Sequence, residues 1–123
     1  MAIIRYTGIY NADGGLWGET RYVIGHLLGT TACALCDITH SPLRRKPEWD
    51  AMVNRLGVPF DVRHRNEIPP TETEFVANAR LPLVLAHHDD GSITAILTDR
   101  ELDAVAGSVA EFESALTRAS IAG

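Results

Sequence analysis

The sequence predicts a single mixed α/β domain whose elements follow the order β-α-β-α-β-α-β-β-α. Short apolar, β-branched runs alternate with segments whose apolar residues recur at helical spacing, a pattern typical of β-α-β units. Asp90-Gly91 lies between two apolar runs and is typical of a tight hairpin turn. The length of 123 residues fits one domain, which we assign to residues 1–123.

The first half of the chain is expected to hold two strands and two helices. Residues 2–10 and 33–39 are apolar runs with β-branched side chains, so both are interpreted as strands. Between them, residues 11–15 have turn composition and apolar residues at helical spacing follow, which predicts a helix. The second helix is expected to begin at Pro47, because the fixed φ of proline suits the first helical position, and to end at Gly57.

The second half is expected to add a strand, a short helix, a hairpin and a long final helix. Residues 58–64 are interpreted as the strand, and residues 83–86 and 93–97 as the arms of the hairpin. Both helices after residue 64 are predicted from capping boxes, in which a threonine is followed three residues later by a glutamate. These boxes are Thr71 with Glu74 and Thr98 with Glu101. The last strand leaves a sheet edge at which a second copy can pair, so a homodimer is one expectation.

Composition and charge limit the classes of function. The chain has 11 Lys and Arg against 16 Asp and Glu, a net charge of −5 with histidine neutral. A mildly acidic chain has no general attraction to nucleic acid or anionic membranes, and no apolar run is long enough to cross a bilayer. Residues 1–5 lack the pattern of a signal peptide. A cytoplasmic location is therefore expected, where the two cysteines stay reduced unless they are catalytic or bind metal.

The element order, together with Thr39-His40-Ser41-Pro42 and with Pro82, resembles the thioredoxin-like superfamily over nearly the whole chain. The resemblance implies a three-layer α/β/α domain with a mixed sheet. It places the loop that begins at Thr39 where that family carries its redox cysteines, and it implies a cis peptide bond at Pro82. The loop contains no cysteine. Because thiol–disulfide exchange needs a thiolate nucleophile, the usual redox activity is not expected at this loop.

Ligands in open α/β sheets bind beyond the carboxyl ends of the strands, and several chemistry-bearing side chains are expected at that edge. The residues assigned to this ligand site are Asp13, His40, Ser41, Arg44, Arg45 and His64. Arginine forks and histidines suit carboxylate or phosphate groups. The leading hypothesis is therefore a domain that binds a small anionic molecule, or a protein partner, around His40.

The pair Cys33-Ala34-Leu35-Cys36 gives alternative hypotheses. In a strand, two residues three apart lie about 10 Å apart on opposite faces, which favours plain packing of both thiols. A zinc site, or one for another transition metal, needs further ligands. His87 and His88 are the candidates, because the hairpin brings the far end of their strand near the start of the Cys33 strand. Without a metal, the two histidines are expected at a solvated hairpin end.

A helical conformation of residues 33–40 changes this interpretation. Cys33, Cys36 and His40 then share one helix face, at positions i, i+3 and i+7, and can approach one metal ion. The two thiols can also pair if residues 30–36 form a turn rather than a strand, which leaves an atypical CxxC thiol–disulfide oxidoreductase as a third hypothesis.

Overall fold

The computed structural model of the protein describes residues 2–11, 34–39, 46–77 and 79–122. The described residues form four strands and five helices. In chain order these are β1 Ile3–Ile9, α1 Ala34–Thr39, α2 Pro47–Leu56, β2 Phe60–Arg63, α3 Pro70–Ala77, β3 Leu83–His88, β4 Ile93–Leu97, α4 Asp99–Ala104 and α5 Val109–Ala122. None of these described helices is long and apolar enough to cross a membrane.

The four strands form one mixed sheet in the order β2-β1-β3-β4. β1 and β2 are parallel, whereas β3 is antiparallel to both β1 and β4. The β3–β4 hairpin turns at Gly91, whose φ of 89° favours glycine, so the predicted turn is confirmed. The Leu81–Pro82 peptide bond is cis and directly precedes β3, as the resemblance implies.

The larger core lies on one face of the sheet, where strand residues of one alternating set pack against α1, α2, α4 and α5. Trp49, Phe60 and Phe112 form its aromatic centre, with ring centroids 4.9–5.9 Å apart. Gly8 lets α1 approach β1 closely, because a Cβ there would lie 3.0 Å from Leu35 Cδ2 and 3.1 Å from Phe60 Cε1. This packing fixes α1 above the middle of the sheet.

The opposite face carries a smaller core. Ile9, Leu83 and Leu85 form its buried centre, and α3 packs on it through the half-buried Phe75 and Val76. Helices therefore contact both faces of the sheet, and the predicted mixed α/β class is confirmed.

The strand predicted over residues 33–39 is wrong, because residues 34–39 form helix α1. Leu35 and Ile38 lie three residues apart and both are fully buried, as helical spacing allows. The β-branched Ile38 and Thr39 lower helix propensity only slightly, and burial against the sheet outweighs that preference. β1 therefore pairs directly with the strand predicted as third, which is β2.

Some helix ends lie where the sequence predicts them, and others do not. α2 begins at Pro47 and ends before Gly57 in the left-handed conformation, and Thr98 forms the predicted capping box with Glu101. The other capping box is wrong, because α3 begins at Pro70 and places Thr71 inside the first turn. The predicted long final helix is two helices, broken where Ala106 and Gly107 adopt φ of 55° and 77°.

Candidate functional site

Three segments of the chain meet at Tyr10, at the carboxyl edge of the parallel strands β1 and β2. The Tyr10 N–H donates to Arg63 O at the end of β2 (2.8 Å), and the hydroxyl forms a 2.5 Å hydrogen bond with Thr39 at the end of α1. The Tyr10 ring packs edge-on against the ring of His64, with centroids 5.3 Å apart. We call this region the Tyr10 edge and define it by Tyr10, Thr39, His64 and Pro82.

Pro82 belongs to this edge because of the register of β1 and β3. Ile9 pairs with Leu83, so Pro82 lies beside Tyr10 at the point where β1 ends. The chain therefore leaves β1 and enters β3 at the same place on the edge of the sheet.

His64 is held by the carboxylate of Glu67, three residues later. Glu67 Oε1 accepts hydrogen bonds from His64 Nδ1 (2.6 Å) and from the His64 N–H (3.1 Å). These bonds lower the pKa of Glu67 below its usual range. With Nδ1 bound to Glu67, Nε2 is the ring nitrogen that remains for a ligand.

Residues 40–45 carry most of the predicted site, and a hydrogen bond next to Tyr10 joins the residues that flank this segment. The Lys46 N–H donates to Thr39 O (2.8 Å), so the residues on either side of positions 40–45 meet at Thr39. Lys46 itself is engaged elsewhere, because its Nζ donates to Gly107 O (2.7 Å) beside a cleft of about 500 Å³ between α2 and α5. His64, the one predicted ligand-site residue that the structure describes, does not line this cleft.

Of the predicted anion site, the described residues include only His64. The other members, and one cysteine of the pair, lie outside the described residues. These are Asp13, Cys33, His40, Ser41, Arg44 and Arg45. The backbone of Cys36 lies in α1. His40 directly follows Thr39, whose side chain is at the Tyr10 edge.

His87 and His88 do not lie at a solvated hairpin end, because both belong to β3 and expose only 6% and 7% of their surface. Adjacent strand residues point to opposite faces of a sheet, and these two have different partners. His88 Nε2 hydrogen bonds to Thr94 Oγ1 (2.9 Å), whereas His87 contacts Thr7. The structure does not bring the two rings together as a ligand pair, and no three His, Cys, Asp or Glu side chains among the described residues are placed to hold a metal.

A buried polar network, which the sequence analysis did not identify, surrounds His87 on the face covered by α3. Its centre is Glu72, a fully buried glutamate of α3. Glu72 Oε1 accepts a hydrogen bond from the Thr7 hydroxyl (3.2 Å) and lies 3.1 Å from His87 Nε2. Glu72 Oε2 lies 3.5 Å from Arg63 Nε, and neither atom has a hydrogen bond among the described residues.

The partners of His87 determine its protonation state. Arg5 carries only donors, so its Nη2 must donate to His87 Nδ1 (3.3 Å), which leaves the proton of a neutral ring on Nε2. That proton faces Thr7 Oγ1 (2.9 Å) and Glu72. Burial lowers the pKa of His87, and the positive charge of Arg5 lowers it further, although Glu72 opposes both effects.

Alternation along the strands was the signal that could have revealed this network. Thr7 on β1, Arg63 on β2 and His87 on β3 each directly follow a hydrophobic strand residue. Such positions normally face water, and only the pairing of the strands and the placement of α3 show that here they face one another.

Comparisons of the chain with protein-family models, curated proteins and solved structures found no match.

Proposed function

We propose that this protein is a binding domain that takes a small anionic molecule, or an anionic group of a protein partner, at the Tyr10 edge. The observation that carries the proposal is the convergence on Tyr10 of Thr39, His64 and Pro82 at the carboxyl ends of two parallel strands. This is the part of an open α/β sheet where ligands bind.

The charges near this edge favour an anion. His64 is held at the edge by Glu67 and keeps 24% of its side chain exposed. The segment between Thr39 and Lys46 supplies His40, Arg44 and Arg45, and the hydrogen bond from Lys46 to Thr39 anchors both ends of it beside Tyr10. Arginine binds carboxylate and phosphate through paired hydrogen bonds.

The proposal includes a thioredoxin-like arrangement without the usual redox chemistry. A parallel β1–β2 pair, a C-terminal β3–β4 hairpin, helices on both faces and Pro82 before β3 support it. The helical conformation of α1 removes the strand that was expected before residue 40. Pro82 lies beside Tyr10, and residues 11–15, which follow β1 in the sequence, also lack cysteine.

Thermal-shift titrations with inorganic phosphate, a nucleotide and glutathione test the proposed anion site. We expect at least one of these anions to raise the melting temperature of the wild type and to lose most of that effect in the variant R44A/R45A. The matched control is R100A/R118A, which removes the same charge from exposed positions of α4 and α5. Absence of any shift in the wild type, or equal shifts in both double variants, rejects the anion site.

A metal centre is the second candidate, and the conformation of α1 favours it. A strand would have separated the two cysteines of the pair. Residues 34–39 are helical instead, so the arrangement in which Cys33, Cys36 and His40 approach one ion gains support. Two thiolates and an imidazole suit zinc or another transition metal.

Elemental analysis of protein purified without added metal tests this candidate. Near-stoichiometric zinc, copper or iron in the wild type and in H88Q, but not in C33S/C36S, supports a site on the cysteines. Loss of metal in H88Q would instead favour the histidines of β3 as ligands, and a metal-free wild type removes the candidate.

A thiol–disulfide oxidoreductase that pairs Cys33 with Cys36 is the third candidate, since residues 34–39 do not form the strand that would hold these two residues about 10 Å apart. Counting reactive thiols before and after reduction separates this oxidoreductase hypothesis from the metal site. A gain of two thiols on reduction supports pairing, whereas two thiols that react in both states argue against it.

A further inference from the structure

Glu72 is the inward-facing residue of the first turn of α3, at a position where a hydrophobic side chain would be usual. It is fully buried, whereas the apolar residues that hold α3 on the sheet, Phe75 and Val76, are only half-buried. The attachment of α3 to the sheet therefore depends strongly on one buried carboxylate. Such a group is stable only while its charge is matched and its hydrogen bonds are made.

The charges around Glu72 balance only while His87 is neutral. In the described part of the chain, Arg5 on β1, Asp61 on β2 and Glu72 on α3 are the charged groups that face His87, and Arg63 on β2 lies against Glu72. Two cations therefore match two anions. A proton on His87 adds a third cation next to the buried Glu72, in a cluster whose arginines are half-buried and whose Asp61 is exposed.

The hydrogen-bond geometry opposes the same proton. Protonation of His87 places an N–H on Nδ1, the atom that now accepts a hydrogen bond from Arg5. That bond is lost, and two donors of like charge then face each other at 3.3 Å. The attraction of Glu72 for an imidazolium opposes this effect, but burial and Arg5 outweigh it, as the lowered pKa of His87 indicates.

We propose that the contact of Glu72 with His87 and Thr7 is an acid-sensitive attachment of α3, and that protonation of His87 releases α3 while the remaining sheet stays folded. Release exposes His87 to water, where its proton is no longer opposed. The sheet keeps its larger core on the opposite face, which contains neither His87 nor Glu72.

Release of α3 also affects the proposed ligand site, because the segments on either side of α3 carry residues of that site. The segment before α3 carries His64 and Glu67, and the segment after it carries Pro82. Release of α3 therefore loosens both segments that flank Tyr10, and ligand affinity falls with pH. That consequence rests on the proposed function, whereas the release itself does not.

Hydrogen–deuterium exchange of single amides tests the release without any ligand. After correction for the intrinsic exchange rates, we expect the protection of α3 amides to fall between about pH 7.5 and about pH 5.5, by up to about tenfold for a histidine that titrates near 6.5 when exposed. Amides of β1 and β3 keep their protection over this range. In H87Q, which retains a donor and an acceptor but cannot take up a proton, the pH dependence of α3 disappears.

H88Q is the matched control, because it alters the neighbouring residue on the opposite face of β3. It is expected to behave like the wild type. The proposal is overturned if α3 protection does not depend on pH in the wild type, if H87Q retains the dependence, or if H88Q removes it. Should H87Q fold poorly, the wild type alone decides, since loss of protection in β1 together with α3 means global unfolding rather than release.

Discussion

Gly8 lies beneath α1, and the close packing of that helix on β1 requires a residue without a side chain at this position. A Cβ at this position would lie 3.0 Å from Leu35 and 3.1 Å from Phe60, and both neighbours are buried. Neither side chain has room to withdraw in a densely packed core. The sequence contains this glycine inside strand β1, but only the packing of α1 shows why it is there.

The variant Gly8→Ala is expected to lower the free energy of unfolding by about 1–2 kcal/mol, since overpacking outweighs the entropy gained by removing a glycine. Urea denaturation measures the effect. In a Leu35→Val background, which removes the nearest methyl group, the same substitution should cost less. An unchanged cost in that background would show that Leu35 is not the obstacle.

At the scale of elements, α1 illustrates how tertiary contacts along a short helix determine its position. Leu35 and Ile38 anchor it by burial, and the hydrogen bond between Thr39 and Tyr10 ties its last residue to the end of β1. A six-residue helix is not stable by itself, so these contacts decide its conformation.

Tyr10→Phe removes the hydroxyl that binds Thr39, and we expect it to destabilise the fold by about 1 kcal/mol and to speed amide exchange in α1. The control is Tyr6→Phe, which removes a comparable hydroxyl bonded to Ser120 on α5. That variant should affect α5 and leave exchange in α1 unchanged. Equal effects of the two variants on α1 would contradict the role assigned to Tyr10.

At the scale of the whole molecule, the two faces of the sheet differ in character. One face carries the aromatic core that joins α2 and α5 to the strands, and the other carries a small apolar core beside a buried charge network. The second face therefore makes the stability of the fold depend on pH through the buried His87.

The sign of that dependence follows from His87. Its pKa is lowered by folding, so the unfolded chain binds more protons between the lowered value and 6.5. The stability that neutral His87 provides is fully present above about pH 6.5 and is lost as the pH falls through this window, at a rate of at most about 1.4 kcal/mol per pH unit. Urea midpoints at several pH values should show this loss in the wild type and a smaller one in H87Q. Equal slopes would assign the dependence to other groups.

Local sequence patterns were sufficient to predict the strands β1, β2 and β4, the helix bounds at Pro47, Gly57 and Thr98, and the hairpin at Gly91. These features arise from local physics, since alternation, fixed or left-handed backbone angles and capping act within a few residues. Tertiary packing selected the conformation of residues 34–39, because a run of six residues fits either a strand or a helix until burial against Gly8 and the sheet favours one. It also set the partners of Thr7, since Glu72 and His87 lie 65 and 80 residues away from it along the chain. Contacts over such distances depend on strand register and helix placement, and local sequence patterns do not contain that information.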